Sequence, residues 1–286
     1  MPELPEVETV RKGLEKRLKG FCVKKVEVLS QRTIASEGGS EEFISSIKGL
    51  IIGKWERRGK YLIAKLLTEN SSGENINSGS LVIHLRMTGY FQWHKKSNAA
   101  CKHTRVRLWN SQGAEIRFVD IRNFGQVWLI PKHKNPREVI RGLRTLGPEP
   151  FSKEFNPIYL KRSLKGKSRS IKSALLDQSL VAGIGNIYAD ESLFDAGIIP
   201  IKQSGKLKDS EINRLCKSIV KVIRISIGKG GTTFSDFRDL EGLNGNYGGE
   251  AWVYRRDTKP CRKCGETIYK EKISGRSSHW CPRCQN

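Results

Sequence analysis

The chain has 286 residues, with 52 Lys and Arg against 29 Asp and Glu, a formal net charge of +23 and a pI of about 9.9. This excess of positive charge indicates a polyanionic partner: nucleic acid first, then an anionic membrane or a structural place in the ribosome. No apolar run approaches the ~18 residues of a membrane helix, and three Glu in the first eight residues argue against a signal peptide. We therefore expect an intracellular protein without a membrane anchor.

The N-terminal stretch MPELPEVETV places Pro2 beside Glu3, with Glu6 and Glu8 close behind. Taken alone, it predicts the start of a helix, because Pro suits the first turn and acids suit the positive end of the helix dipole. Apolar residues at helical spacing extend this pattern to Gly20: Leu4, Val7, Val10, Leu14 and Leu18. If the initiator methionine is removed, Pro2 also becomes a secondary amine next to a carboxylate.

Strand-like segments rich in β-branched and aromatic residues follow as far as about residue 131. With the first helix they predict an antiparallel β-sandwich or barrel. The polar segment 68–80 predicts a mobile loop between two strands. Four Pro residues between 131 and 150 predict a linker, and the pattern is helical from 151 to about 230.

The segment LLDQSLVAGIGNIYADE contains the pair Gly183 and Gly185. It does not fit a dinucleotide fingerprint, because Tyr188 occupies the third glycine position and no strand precedes it. We expect two helices joined by a tight glycine turn, with Asn186 at a helix N-terminus suited to bind phosphate. The six cations at 161–172 could form a solvated face, but beside this hairpin they predict phosphate contacts.

Four cysteines near the C-terminus follow a CxxC-x16-CxxC pattern: Cys261, Cys264, Cys281 and Cys284. Two such pairs can complete a tetrahedral site for one zinc ion, which is structural because four thiolates leave no open position. Disulfides are the alternative, and an intracellular setting argues against them.

Two further segments, HLRMTG and DIRNFG, each predict a strand that ends in a glycine turn. Met87 and Phe124 fall at these turns, with Arg122 beside Phe124. A single Met or Phe most often packs in a core. Apolar side chains at loop tips also serve as wedges that unstack a nucleic-acid duplex.

Together these motifs resemble one family, the bacterial formamidopyrimidine-DNA glycosylases, also called MutM. The resemblance covers nearly the whole chain through seven segments in order: PELPEVETV, RRGKYL, HLRMTG, DIRNFG, LLDQSLVAGIGNIYADE, GGTTFSDF and PCRKCGETIYKEKISGRSSHWCPRCQ. It implies an α+β fold. An N-terminal helix and antiparallel β-sandwich form a catalytic domain at 1–131, and 132–150 is a linker. A helical DNA-binding domain with a helix–two-turns–helix hairpin spans 151–245, and a zinc-ribbon β-hairpin spans 246–286.

The resemblance also implies an activity. The chain would be a monomeric, bifunctional DNA glycosylase and AP lyase of base excision repair, acting on duplex DNA in the bacterial cytoplasm at the nucleoid. It would remove oxidised purines such as 8-oxoguanine and formamidopyrimidines, then nick the strand by β- and δ-elimination. Zn²⁺ would be structural, and no redox cofactor or catalytic metal would be needed.

The matched residues imply roles in that chemistry. Pro2 would attack the sugar C1′ and form a Schiff base, with Glu3 as general acid/base and Glu6 in support. An α-amino group titrates near pH 8, against about 10.4 for Lys, so more of it is neutral in the cell. Lys60 would contact the lesion and a phosphate, and Arg276 would bind phosphate and assist δ-elimination.

DNA contacts follow from the same comparison. Met87, Arg122 and Phe124 would fill the gap left by a flipped nucleotide, and Thr232 and Thr233 would begin a loop that caps the lesion. Contacts to the DNA backbone are implied for His103, Arg122, Arg169, Lys172 and Asn186.

The chain departs from the family pattern at Asn123, where many relatives have a basic residue, and in VYRR, which replaces VYGR. The stretch LNGNYGGEAW and the length of 68–80 also differ. Two alternatives stay open: an oxidised-pyrimidine glycosylase of the endonuclease VIII type, and a zinc-ribbon DNA-binding protein without catalysis. The opening PELPE favours the purine branch, because endonuclease VIII relatives typically open with PEGPE.

Overall fold

The structure is a computed structural model, and it describes residues 1–232, 245 and 247–286. The chain forms two compact units. The first contains Met1–Pro2 and Glu6–Arg144, with Thr232 and Gly245; the second contains Glu3–Pro5, Thr145–Gly231 and 247–286. In the described ranges no helix is both long enough and apolar enough to cross a bilayer.

The first unit combines helices with two antiparallel sheets. Its helices are α1 (Leu4–Leu18, whose first residues belong to the second unit), α2 (Gly39–Ile47), α3 (Pro136–Val139) and α4 (Arg141–Arg144), with a 3₁₀ turn at Gln31–Thr33. Its strands are β1 (Phe21–Cys22), β2 (Lys25–Val28), β3 (Ile51–Arg58), β4 (Tyr61–Glu69), β5 (Asn75–His84), β6 (Gly89–His94), β7 (Thr104–Trp109), β8 (Glu115–Asp120) and β9 (Gln126–Pro131). One sheet has the order β1-β3-β4-β5-β9 and the other β2-β7-β8-β6.

Both sheets and α1 bury side chains in one core. Val10 and Leu14 of α1 are fully buried there, with Trp55 from the first sheet and Phe118 from the second. Each such buried side chain stabilises the fold by about 1.5–3 kcal/mol. The predicted helix-plus-sandwich arrangement is therefore confirmed. The 3.6-residue apolar period predicted α1, and the segments rich in β-branched and aromatic residues predicted the strands.

The predicted mobile loop at 68–80 was wrong. β4 runs through Glu69 and β5 begins at Asn75, so the two strands pair along most of this segment. Only residues 70–74 form a turn. The side-chain oxygen of Asn70 accepts hydrogen bonds there from the backbone N–H of Ser72 (3.0 Å) and of Glu74 (2.8 Å). Gly73 has φ +79°, which a side chain would disfavour.

The second unit is helical, with a C-terminal hairpin. Its elements are α5 (Pro157–Leu164), α6 (Ile171–Leu176), α7 (Asn186–Ala196), α8 (Asp209–Gly228), the 3₁₀ turns Ser204–Lys206 and Tyr247–Glu250, and the strands β10 (Tyr269–Ile273) and β11 (Arg276–Trp280). The predicted α+β class is confirmed. The division at 1–131, 132–150, 151–245 and 246–286 stays a proposal. One boundary between the two compact units falls at 144/145 in the chain, inside the predicted linker.

The glycine turn between α6 and α7 is held by one side chain. The Gln178 side-chain oxygen accepts from the N–H of Gly183 (2.9 Å), and its amide donates to the carbonyl of Ile184 (2.7 Å). Gly183 has φ +89°, and a Cβ there would lie 2.7 Å from the Leu4 side chain. The turn therefore needs glycine both for its backbone angle and for its close contact with Leu4.

Candidate active site and nucleic-acid interface

The N-terminal residues are fixed within their own units. In the first unit Pro2 is buried, and the carboxylate of Glu6 accepts a hydrogen bond of 2.7 Å from the backbone N–H of Thr232. Glu6 thus holds the first residue of the predicted lesion-capping loop. Thr233 lies outside the described residues, as do Leu243, Asn244 and Asn246 of the LNGN segment.

Lys60 occupies the tight turn between β3 and β4 and is buried. Tyr61, the next residue, is opposite His84 in the β4–β5 register, and their rings meet edge to face with centroids 4.5 Å apart. Burial, followed by the charges of Arg86 and Lys60, lowers the pKa of His84 to about 3. His84 is therefore neutral at cellular pH, and its Nδ1 accepts from the N–H of Arg86 (3.0 Å). Sequence analysis missed His84, although it opens the HLRMTG motif.

In the second unit the carboxylate of Glu3 caps helix α7. It accepts hydrogen bonds from the N–H groups of Ile187 (3.0 Å) and Tyr188 (3.4 Å). A Cβ on Gly185 would lie 2.3 Å from the carboxyl carbon of Glu3, so glycine at this position makes room for the acid. The GIG motif and the N-terminal acid are thus two parts of one arrangement, in which a helix N-terminus holds the carboxylate.

The three predicted wedge residues are brought together. Met87 and Phe124 are each 39% exposed, which is incompatible with an ordinary core position. The guanidinium of Arg122 lies 3.0 Å from the Met87 sulfur and 5.0 Å from the centre of the Phe124 ring. Arg32 lies on the same ring, 5.4 Å from its centre, so Phe124 contacts two guanidinium groups.

One buried carboxylate joins the two turns that carry the wedge. Asp120 accepts hydrogen bonds from the N–H groups of Phe124 (2.7 Å) and Gly125 (2.6 Å), and from the Thr88 hydroxyl of the other turn. The same hydroxyl accepts from the N–H of Arg122 (3.0 Å). Because Asp120 is fully buried, these bonds fix both turns in one position.

Asn123, where many relatives have a basic residue, has a structural role in the wedge turn that sequence analysis did not predict. Its φ is +54°, a region that Asn tolerates better than most residues. Its side-chain oxygen accepts from the hydroxyls of Ser30 (3.0 Å) and Thr33 (3.1 Å). The segment around the 3₁₀ turn Gln31–Thr33 therefore braces the wedge turn from its other side.

The remaining predicted DNA contacts lie in different settings. His103 is half-buried, and its carbonyl accepts from the N–H of Asp120 (2.9 Å). Arg169 is exposed and pairs with Asp177 at 2.9 Å. Asn186 is the first residue of α7, and its side chain donates to the carbonyl of Ser277 on β11 (2.9 Å).

The structure corrects the interpretation of Lys172. The other five cations of 161–172 are exposed, whereas Lys172 is fully buried. Its ammonium pairs with Asp190 of α7 at 2.7 Å and donates to the carbonyl of Ser277 at 2.8 Å. Lys172 is buried because it lies on the inward-facing side of the short helix α6. Lys172 therefore joins α6, α7 and β11, and is not a solvated phosphate contact in this structure.

Arg276 begins β11 and is exposed beside the hairpin turn Ser274–Gly275. The same hairpin belongs to the zinc ribbon. The sulfur atoms of Cys261, Cys264, Cys281 and Cys284 all lie within 4.8 Å of one another. Zn–S bonds of about 2.3 Å in a tetrahedron place sulfurs about 3.8 Å apart. Four thiols in this arrangement fit one structural zinc ion, and the zinc prediction is confirmed.

Glu191 is another buried acid that sequence analysis missed. Its carboxylate accepts hydrogen bonds of 2.9 Å from the N–H groups of Trp252, Val253 and Tyr254, and burial raises its pKa. This carboxylate fixes the VYRR segment against α7. Arg255 in that segment has φ +55°, which explains why glycine is usual at this position in the family motif.

Comparison with known proteins agrees with this architecture. Three family models match in order: the formamidopyrimidine-DNA glycosylase N-terminal domain over 1–127, its H2TH domain over 146–238, and a zinc finger found in FPG and IleRS over 259–286. The chain belongs to the formamidopyrimidine-DNA glycosylase family.

Individual relatives match over their whole length. The formamidopyrimidine-DNA glycosylases of Prochlorococcus marinus (strain MIT 9211) and Parasynechococcus marenigrum (strain WH8102) are 69% and 57% identical, with full coverage of both chains. A Lactococcus lactis FPG mutant solved with Fapy-dG-containing DNA is 34% identical, with a TM-score of 0.89 and full coverage. MutM in complex with carbocyclic 8-oxo-G-containing DNA is 35% identical, with a TM-score of 0.88.

Proposed function

We propose that Pro2 is the nucleophile of a DNA glycosylase of base excision repair with AP lyase activity. The chain acts as a monomer on duplex DNA that contains an oxidised purine, in the cytoplasm at the nucleoid. Full-length similarity to formamidopyrimidine-DNA glycosylases supports the activity. The observation that supports the residue assignment is the Glu3 carboxylate, held at the N-terminus of α7 and directly following Pro2 in the chain.

The reaction begins once Met1 is removed and the Pro2 nitrogen is a free secondary amine. Its lone pair attacks C1′ of the flipped nucleotide, the N-glycosidic bond breaks, and the damaged base leaves with a proton. Glu3 protonates O4′ as the sugar ring opens, and the nitrogen–carbon bond becomes a Schiff base. Loss of a C2′ proton expels the 3′ phosphate, and a second elimination expels the 5′ phosphate.

The other residues bind and orient the DNA. Lys60 contacts the lesion and a phosphate, and Arg276 binds phosphate and assists the second elimination. Arg122, Met87 and Phe124 fill the gap left by the flipped nucleotide. His103, Arg169 and Asn186 contact the DNA backbone. The structural zinc ion supplies folding energy to the ribbon that carries Arg276.

Borohydride trapping on duplex DNA with one 8-oxoguanine tests the proposal. Borohydride reduces a Schiff base to a stable amine, so the purified chain becomes covalently linked to the labelled strand. A chain with a residue left fused ahead of Pro2 should lose the link through Pro2 while retaining DNA binding, because the Pro2 nitrogen is then an amide. Pro2→Gly should lose most glycosylase and lyase activity and also retain DNA binding. A blocked N-terminus with full trapping would overturn Pro2 as the nucleophile, and no trapping by any form would favour a binding protein without catalysis.

A substrate panel distinguishes the endonuclease VIII alternative. Single-turnover rates on 8-oxoguanine, formamidopyrimidine and oxidised-pyrimidine duplexes should rank the purine lesions first. The panel is needed because a wild-type Lactococcus lactis Fpg (MutM) has itself been solved with an oxidised pyrimidine containing DNA. Faster excision of oxidised pyrimidines would overturn the purine assignment.

A further inference from the structure

An open groove of about 480 Å³ lies beside α5 and the start of α8 in the second unit. Its apolar walls come from Ile158, Leu164, Leu207 and Ile212. Its size falls within the range typical of ligand pockets. The predicted catalytic residues and the wedge do not line it.

The apolar part of the groove is accessible to a partner. Ile158, in the first turn of α5, is 81% exposed, the largest exposed fraction among the exposed large apolar side chains of the described residues. An exposed isoleucine at the entrance of a cavity with apolar walls favours a partner that brings an apolar side chain.

The rim of the groove is cationic. Lys161, Arg162 and Lys165 line it, and Lys161 alone of the three forms an ion pair, with Asp209 at 2.8 Å. Arg162 and Lys165 are exposed and make no ion pair within the described part of the chain. The rim is therefore complementary to carboxylates.

Ser204 and Gly205 close the floor of the groove. Ser204 is 1% exposed, and its hydroxyl has no partner among the described residues. Gly205 beside it lets two backbone segments meet, because a Cβ there would lie 2.8 Å from the carbonyl oxygen of Lys167. The surfaces open to an occupant are therefore the apolar walls and the cationic rim.

We propose that this groove binds an acidic peptide segment of a partner protein, with an apolar side chain of the segment seated against Ile158. The carboxylates contact Arg162 and Lys165 at the rim. Duplex DNA fits the cationic rim but presents no apolar side chain for the groove. The interaction would recruit the chain to another protein, separately from catalysis.

Fluorescence anisotropy of the full zinc-loaded chain tests the proposal. The probe is a labelled peptide of Asp and Glu residues around a central Leu-Phe pair, with two control peptides: Leu-Phe replaced by Ser-Ser, and the acids replaced by amides. The Leu-Phe acidic peptide should bind at least about tenfold more tightly than either control. Equal binding of the Ser-Ser peptide would mean non-specific attraction to a basic protein, and would overturn the proposal.

Variants then locate the site. Ile158→Ser should weaken peptide binding about fivefold or more, and Arg162→Glu with Lys165→Glu about tenfold or more. Ile201→Ser and Lys217→Glu are matched controls, because both residues are exposed in the same unit and neither lines the groove. They should bind the peptide like the unchanged chain, and Ile158→Ser should still nick damaged duplex at the normal rate. If the control variants weaken the peptide equally, or the Glu variants weaken only duplex DNA, the groove is not a peptide site.

Discussion

Lys172 and Asp190 form an ion pair of 2.7 Å in which neither side chain is exposed to solvent. Asp190 also accepts from the backbone N–H of His279 (3.0 Å), and Lys172 donates to the carbonyl of Ser277. Both partners therefore hold β11, the strand that begins with Arg276. The pair joins the helical hairpin to the zinc ribbon within the second unit.

Removing one member of this pair should lower the stability of the fold. Lys172→Ala leaves a buried carboxylate without its cation, and such a loss costs about 3–5 kcal/mol. A loss of that size should lower the melting temperature by on the order of 10 °C, and Asp190→Asn should also lower it. Arg169→Ala is the control, because Arg169 is exposed, and its melting temperature should change little. Unchanged melting of Lys172→Ala together with weaker binding to all duplexes would restore Lys172 as a phosphate contact.

The zinc ribbon should depend on its metal. Cys264→Ser removes one thiolate, so the ribbon should lose zinc, and binding to duplex DNA should weaken because Arg276 lies on the same hairpin. Metal analysis should give one zinc per unchanged chain. Cys101→Ser is the matched control, since Cys101 is exposed and outside the cluster, and it should retain both zinc and DNA binding. Normal DNA binding by protein without zinc would contradict the structural role.

How much the sequence could predict depends on how local each feature is. The zinc ligands follow from two CxxC pairs, because each pair is closed by a short turn. Helix α1 follows from its apolar period. Lys172 looked the same as its five cationic neighbours, since only the packing of α6 decides which side faces inward.

Polar contacts between residues far apart in the chain could not be predicted, because no local sequence pattern marks the two partners. Glu3 caps a helix that begins 183 residues later, and Glu191 accepts from a segment about 60 residues downstream. Asp120 holds one turn through the backbone N–H groups of Phe124 and Gly125, which any sequence supplies, and the other turn through the hydroxyl of Thr88, 32 residues away in the chain. The hairpin at 68–80 was hidden for a different reason: its Asn, Ser and Gly residues are typical of loops, whereas strand pairing within the sheet sets their conformation.

Arg255 should be a strained position. Its φ of +55° costs a residue with a side chain roughly 1–2 kcal/mol, and glycine avoids that cost while losing more entropy on folding. We expect Arg255→Gly to leave the free energy of unfolding unchanged or to raise it by up to about 1 kcal/mol. Arg283→Gly is the control: Arg283 is exposed and has no positive φ, so its change should destabilise. Denaturant unfolding measures both, and equal destabilisation would show that contacts of the Arg255 side chain outweigh the strain.

The wedge prediction concerns Met87 and Phe124. Both side chains are 39% exposed, and Asp120 fixes the turns that carry them, so their apolar surface is held in place before DNA arrives. Unstacking a base step costs a few kcal/mol, and an apolar substitute in the gap recovers part of it. Truncation to Ala should lose roughly 1–2 kcal/mol of that compensation, which slows approach to the flipped state about 5–30-fold. The defect should be largest in fully paired duplex and small where the lesion lies in mismatched or single-stranded DNA, because little stacking must then be broken.

Ile121→Ala is the matched control, an exposed apolar residue close to Phe124 in the chain, and it should leave the rates on both substrates unchanged. Single-turnover rates on the two substrates, with melting temperatures, measure the effect. Equal slowing on both substrates with a lower melting temperature would assign Met87 and Phe124 to packing, and would remove them from the DNA interface.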